Sequence, residues 1–283
     1  MSNAILLISC PDQKGITATV TNFIYKNNGN ILHADQHTDE QTKTFFMRVE
    51  WALDGFAIDS GKIKEAFEVI ADSFEMTWDF YFSDQKPRVA IFVSRYLHCL
   101  YDLLARQRAG HLNCEIPLII SNHSDAQKIA QEFDIKFYEI SIAKKNKLER
   151  EKREIKILKS ANIDFVVLAR YHQILTPSFV KTFPSRIINI HHSFLPAFAG
   201  KSPYAQAYQK GVKIIGATSH YVTQKLDEGP IIEQDTVRIS HRDALKDLIR
   251  KGEDLEKMVL SRALRLAIEH KILTYNNKTV IFD

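Results

Sequence analysis

Cysteine is scarce. Cys10, Cys99 and Cys114 are the only three in 283 residues, an odd number at wide spacing with no CxxC. That excludes a disulfide framework and a cysteine-rich zinc site, and it suits a reducing compartment. No stretch approaches the roughly 20 apolar residues of a membrane span. The opening MSNAILLISCPDQ has no basic n-region and only a short apolar run, so no signal peptide is expected and the cytoplasm is the expected location. Neither sign of charge dominates, since the formal net charge is +4, far from the single-sign field of a nucleic-acid coat. Internal repeats, low-complexity segments and a P-loop are missing as well. What remains is an ordinary soluble composition, 45% hydrophobic and 25% charged, in a chain long enough for two domains.

The first 83 residues have an α+β period. Ala4–Ser9 is a short apolar strand followed by the turn signal Pro11-Asp12 and by Gly15. Ile16, Val20, Phe23 and Ile24 recur at helical spacing, and Asn27-Asn28-Gly29-Asn30 ends that helix. Two strands follow, 31–39 and 44–51, then a helix with Ile63, Phe67, Ile70 and Phe74 on one stripe, then a strand at 76–82. The order βαββαβ predicts two helices covering one face of an antiparallel sheet, the ferredoxin-like arrangement. The polar stretch 84–87 is the expected linker.

From Arg88 to Asp283 short apolar runs alternate with helical patterns. Runs at 89–93, 116–120, 165–168, 187–190, 214–222 and 231–239 predict a doubly wound, mostly parallel sheet, with ligands outside the carboxyl ends of its strands. Thr176-Pro177 is a helix start. A closing helix through Leu255, Val259, Ala263 and Leu266 leads to a hairpin turning at Asn276-Asn277. Lys144–Lys159 is strongly basic but of mixed sign, so it reads as a solvated helix docked by Leu148, Ile155 and Leu158. No nucleic-acid partner is expected from it.

One segment carries chemistry: Ile187-Ile-Asn-Ile-His-His-Ser-Phe-Leu-Pro-Ala-Phe198. Alternation on a strand puts Asn189 and His191 on one face, and at the strand's carboxyl end they project into the crevice. An amide donor beside an imidazole suits a developing oxyanion. By itself an N-x-H pair is commonly just two satisfied polar residues. The second segment, 216–230, adds Asp227 in an Asp-Glu-Gly-Pro turn between two apolar strands. A carboxylate, an imidazole and an amide together can move a proton and hold an oxyanion. His191 and His192, adjacent on a strand, point to opposite faces and do not clasp one ion, so no metal is expected. His220 reads as an ordinary strand histidine.

These two segments resemble the folate-dependent formyltransferase family, whose signature is N-I-H-x-S-x-L-P with an aspartate some three dozen residues on; His191 and Asp227 are 36 apart. The resemblance covers Arg88 to the C-terminus and implies Asn189, His191 and Asp227 as catalytic residues. It also implies a pterin-binding strand and loop at Leu168–Leu175, with Tyr171, His172, Gln173, Ile174 and Val222 as substrate contacts. His172 stands where the family pattern has methionine. The segments INIHHSFLPAF, ARYHQIL and HCLYDLL look like a hydrolytic branch of the family. Ser9-Cys-Pro-Asp-Gln-Lys-Gly-Ile16 is similar to the opening of an ACT domain, which implies effector contacts at Asp12, Gly15 and Ile16. An amino-acid effector such as glycine or methionine and a homo-oligomer are implied with it.

What the resemblance implies chemically is 10-formyltetrahydrofolate plus water giving formate and tetrahydrofolate, with formate serving purine synthesis and the one-carbon pool. No cofactor is needed. Two alternatives stay open: formyl transfer to an amine, and a non-catalytic amino-acid sensor. Transfer to methionyl-tRNA fits poorly, because that branch adds a C-terminal domain and this sequence is expected to end at Asp283. The intact triad argues against a sensor. Against an amine acceptor stands Val93-Ser-Arg-Tyr-Leu-His98. Ribonucleotide-accepting members have a glycine-rich loop here, and side chains in its place should obstruct backbone approach to a phosphate and fill the acceptor space.

Overall fold

A computed structural model of the chain describes residues 2–141, 147–197 and 203–282. These form two compact units, one of residues 2–86 with 269–275 and 279–282, the other of Pro87–Ile268 with Asn276–Lys278.

In the first unit the strands β1 (Asn3–Pro11), β2 (Asn30–Asp39), β3 (Thr44–Ala52) and β4 (Thr77–Phe82) make an antiparallel sheet in the order β2-β3-β1-β4. Helices α1 (Ile16–Lys26) and α2 (Ile63–Ser73) connect them. Helix α1 buries Ile16, Val20, Phe23 and Ile24; α2 buries Ile63, Phe67 and Ala71. Both pack on Leu6, Ile8, Met47, Val49 and Trp51 of the sheet, with Ile70 and Phe74 at the margin. The sheet's alternate residues Leu7 and Phe46 form a second apolar cluster with Val280 and Phe282. The C-terminal hairpin, β12 (Ile272–Tyr275) and β13 (Lys278–Ile281), is therefore packed largely with the first unit. The linear reading from Arg88 to Asp283 had placed it with the second.

His270 belongs to this unit and sits in left-handed backbone, φ 52°, with its ring stacked on Tyr81 at 3.5 Å between centroids. Burial, and then the nearby Arg48 charge, lower its pKa from 6.5 to about 4. The unfolded chain takes up this proton below about pH 6.5 while the folded chain does not until about pH 4. Stability from this group is thus present at neutral pH and lost on acidification through that window, by at most about 1.4 kcal/mol per pH unit. His270→Asn tolerates the left-handed backbone and removes the titration. Its unfolding free energy, measured by urea melts between pH 7 and pH 4.5, should fall less steeply than that of the wild type. An unchanged slope would assign the acid sensitivity to other groups.

The second unit is built on a seven-stranded sheet in the order β11-β10-β9-β8-β5-β6-β7. The strands β5 (Arg88–Val93), β6 (Glu115–Ser121), β7 (Lys136–Glu139), β8 (Phe165–Ala169) and β9 (Ile187–His191) run parallel. Val89–Val93 are all fully buried, as a strand covered on both faces must be. The strands β10 (Ile214–Tyr221) and β11 (Ile231–Arg238) return antiparallel, so the sheet is mostly parallel, as expected, with an antiparallel edge. Helices α3 (His98–Arg108), α4 (Gln127–Glu132), α5 (Lys147–Ser160), α6 (Pro177–Thr182), α7 (Pro203–Lys210) and α8 (Leu245–Ile268) complete it. The strand order reverses between β5 and β8, which places a crevice at their carboxyl ends.

Helix α5 docks through Leu158 and Ile155 as expected, but not through Leu148, and it buries charged residues as well. Leu148 is 63% exposed, whereas Arg150, Glu151, Glu154 and Leu158 are buried. The charged residues were assigned to solvent because sequence periodicity sees no partner for them, and their partners lie in the loop after β8. The start of the basic run, residues 144–146, lies outside the described residues, as does Phe198 of the INIHHSFLPAF segment.

Candidate active site

Strand β9 ends at His191, with Asn189 on the same face two residues earlier. The antiparallel register of β10 sets His220 directly across from Asn189 and Thr218 across from His191. The next loop then brings Asp227 back over this pair. Its carboxylate lies 3.4 Å from His191 Nδ1 and 3.7 Å from His220 Nε2. Asn189 Nδ2 is 3.2 Å from His220 Nε2. The three residues singled out in the sequence are brought together, and His220 joins them. It was read as an ordinary strand histidine, and only the register, which a single sequence does not display, reveals otherwise.

The polar atoms have assigned directions. His220 Nδ1 lies 2.9 Å from the Tyr221 carbonyl, which can only accept, so His220 donates there. Its Nε2 faces both the Asn189 amide and the Asp227 carboxylate. Burial raises the Asp227 carboxyl, but contact with His191 and His220 more than reverses this and holds it well below the usual carboxylate range. His191 is buried, and among the described residues its Nε2 has no hydrogen-bond partner. Its Nδ1 is the nitrogen turned to Asp227.

These residues line one wall of a cavity of about 290 Å³. Tyr171, His172, Gln173 and Ile174 from the loop after β8, and Val222 from the loop after β10, line it too, so all five expected substrate contacts face one space. Ile174 and Leu226 stand at its mouth with more than half their surface exposed. Residues 87–264 match the formyl transferase family and residues 4–72 match the ACT domain. The chain is 58% identical to the formyltetrahydrofolate deformylase of a Synechocystis species, over 99% of this chain and 98% of that one. The chain belongs to the formyltetrahydrofolate deformylase family. The Bacillus subtilis member is 45% identical over 98% of this chain and 93% of its own. A crystal structure of the Pseudomonas syringae member superposes with a TM-score of 0.98 at 46% identity, covering 100% of this chain and 95% of that one.

Within this family member the backbone around Asp227 is demanding. Asp227 itself is left-handed, φ 55°, a conformation that aspartate tolerates better than most residues. A Cβ on Gly229 would sit 1.7 Å from the Tyr221 carbonyl oxygen, so only glycine lets the loop close against β10. Asn277 Nδ2 donates to the Glu228 carbonyl at 2.8 Å, holding the peptide after Asp227. On the other side of the site, Thr218 Oγ1 accepts from Leu195 N and donates to the Ser193 carbonyl, fixing the turn after His191. The Leu195–Pro196 bond in that turn is cis.

The His192 ring lies 5.1 Å from that of His191 and 5.9 Å from that of Tyr204. Burial, followed by the Arg170 charge, pushes its pKa down to about 3, so it stays neutral at working pH. His98, Cys99 and Glu256 bring ligand atoms within 4.8 Å of one another. Their donor chemistry is that of a closed structural cluster: the Glu256 carboxylate already accepts from His98 at 2.8 Å and Tyr204 at 2.5 Å, and burial keeps the Cys99 thiol protonated.

Two expectations are modified. The loop 94–98 was expected to fill the adjoining space. Tyr96 does pack edge-on against His172 and under the Arg170 guanidinium, yet a cavity of about 600 Å³ remains between Tyr96, Arg170, Tyr204 and Ile249. Side chains guard its rim without filling it. In the first unit Asp12 and Gly15 are exposed on the loop before α1, while the Ile16 side chain is 1% exposed. Ile16 is a core residue and can offer a ligand only its backbone.

Proposed function

We propose that the protein hydrolyses 10-formyltetrahydrofolate to formate and tetrahydrofolate. The observation that carries this reading is the convergence of Asn189, His191 and Asp227 on one wall of a cavity, with the His191 ring anchored 3.4 Å from the Asp227 carboxylate. The formyl group is an N-aryl formamide. Water adds to its carbon, giving a tetrahedral oxyanion that Asn189 and a protonated His191 stabilise. The C–N bond then breaks, the arylamine nitrogen takes a proton from His191 or a water, and formate leaves. Asp227 is too acidic to keep a proton. Its part is to orient the water and the His191 ring and to relay the proton in passing. The half-exposed apolar rim at Ile174 and Leu226 suits one face of a pterin. The reaction calls on proton transfers and an oxyanion site, with no metal or redox group.

The ACT unit supports regulation by a small amino acid such as glycine or methionine. A homo-oligomer fits the outer strand β2, whose side chains are mostly exposed and whose unpaired edge a second copy can cover. The test is direct. Protein incubated with 10-formyltetrahydrofolate and no acceptor should release formate, and glycinamide ribonucleotide should neither speed the loss nor be formylated. A panel of amino acids in the same assay should contain one that alters the rate. A formylated amine appearing as fast as the folate is consumed would replace hydrolysis with transfer.

A further inference from the structure

The substrate-facing loop between β8 and α6 has no regular structure of its own, yet it must present Tyr171–Ile174 to the cavity in one conformation. Its two ends meet the same buried strip of α5. At the far end, Glu151, 2% exposed, accepts from Thr176 N at 3.1 Å and from the Thr176 hydroxyl. That hydroxyl in turn accepts from Phe179 N and caps α6. At the near end, the Tyr171 hydroxyl lies against the Glu154 carboxylate without a well-formed hydrogen bond. Arg150 bridges the two acids, its Nε 3.3 Å from Glu154 and its Nη2 4.0 Å from Glu151. None of these three α5 residues lines the cavity. Burying a carboxylate is costly unless it is paired and hydrogen-bonded, so a buried charged strip facing a loop implies that the loop's geometry depends on it.

We propose that Glu151 is a positioning residue for the folate site: by holding Thr176 it fixes the Tyr171–Ile174 loop in its binding conformation from a helix that does not touch the ligand. This rests on the folate reading of the cavity. The loop binds but does not react, so the inference concerns KM and not kcat. Glu151→Ala should raise KM for 10-formyltetrahydrofolate by about 10- to 100-fold, the range expected for loss of charge-assisted hydrogen bonds that select one conformation. The change in kcat should stay within about threefold on the same grounds. Thr176→Val, a second route to the same loss should Glu151→Ala fold poorly, should do likewise. The double variant should be no worse than either single one, Thr176→Ser should lie near wild type, and Glu151→Gln, which keeps one acceptor oxygen without the charge, should fall between wild type and Glu151→Ala. A lowered Tm with unchanged KM, or a fall in kcat at constant KM, would overturn the proposal. Amide exchange across 171–175 tests the loop without substrate: faster exchange in Glu151→Ala supports the proposal and unchanged exchange refutes it. Wild-type protein without formate release would overturn the folate reading alone, leaving the exchange result to decide the positioning role.

Discussion

Asp227→Asn should cost on the order of 10²–10⁴ in turnover, while the folded state is retained. The range is that of losing a general base or an oxyanion-stabilising group, and the substitution does both indirectly. An amide can still meet His191 across 3.4 Å, but it carries no negative charge to set beside the ring and cannot take a proton from water. Because the carboxyl is held low in the folded protein, it contributes stability above its unfolded pKa of about 3.8 that is lost only in strong acid. The variant should therefore also melt somewhat lower at neutral pH. His191→Ala should match it in turnover, since the two act as one unit. Circular dichroism and formate release measured on the same sample check both points. Near-normal turnover in folded Asp227→Asn protein would remove Asp227 from the mechanism.

Gly229→Ala should do comparable damage without touching a polar group. The added methyl has nowhere to go, since 1.7 Å from the Tyr221 carbonyl is far inside any contact distance. The loop must open, and with it the bond from Tyr221 N to the Pro230 carbonyl at 2.9 Å. Asp227, two residues earlier, then leaves its place between the histidines. A misplacement of about 1 Å is enough to cost about 10²-fold in rate, so kcat/KM should fall by at least that much and Tm should fall with it. Gly110→Ala is the control. It too has left-handed backbone, φ 77°, but open space for a Cβ. It should cost about 1–2 kcal/mol of stability and leave kcat alone. Equal kinetic effects from the two would mean that general destabilisation, and not the position of Asp227, explains the loss.

The features legible in the sequence were those encoded by local period and side-chain type. Helix α1 was visible from Ile16, Val20, Phe23 and Ile24 because these share one face of a helix. Strand β5 was visible because a strand covered on both sides is apolar throughout. Asn189 and His191 were placed on one face by alternation alone, and the structure keeps them there. The illegible features depended on pairing. The direction of β10 and β11 is set by which strand each one meets, and His220 becomes part of the site only because β10 runs antiparallel in a register that puts it opposite Asn189. Glu151 and Glu154 read as solvated surface because their partners, Thr176 and Tyr171, lie across a strand and two turns of chain. The hairpin at the C-terminus followed its apolar residues to Leu7 and Phe46, which no local pattern announces.

That cross-strand register also determines where the chain can change length. Asn189, His191, Thr218 and His220 share one face of two hydrogen-bonded strands, so one inserted residue between Thr218 and His220 turns the imidazole to the opposite side. An insertion between Tyr221 and Gly229 moves Asp227 away from both histidines. The surface turn at 211–213, between α7 and β10, holds no residue of the site and can lengthen by several residues at small entropic cost. The interval from His191 to Asp227 is thus elastic at one turn and rigid after it. Loop grafts or affinity tags placed at 211–213 should leave catalysis intact, and a single residue added beside His220 should not.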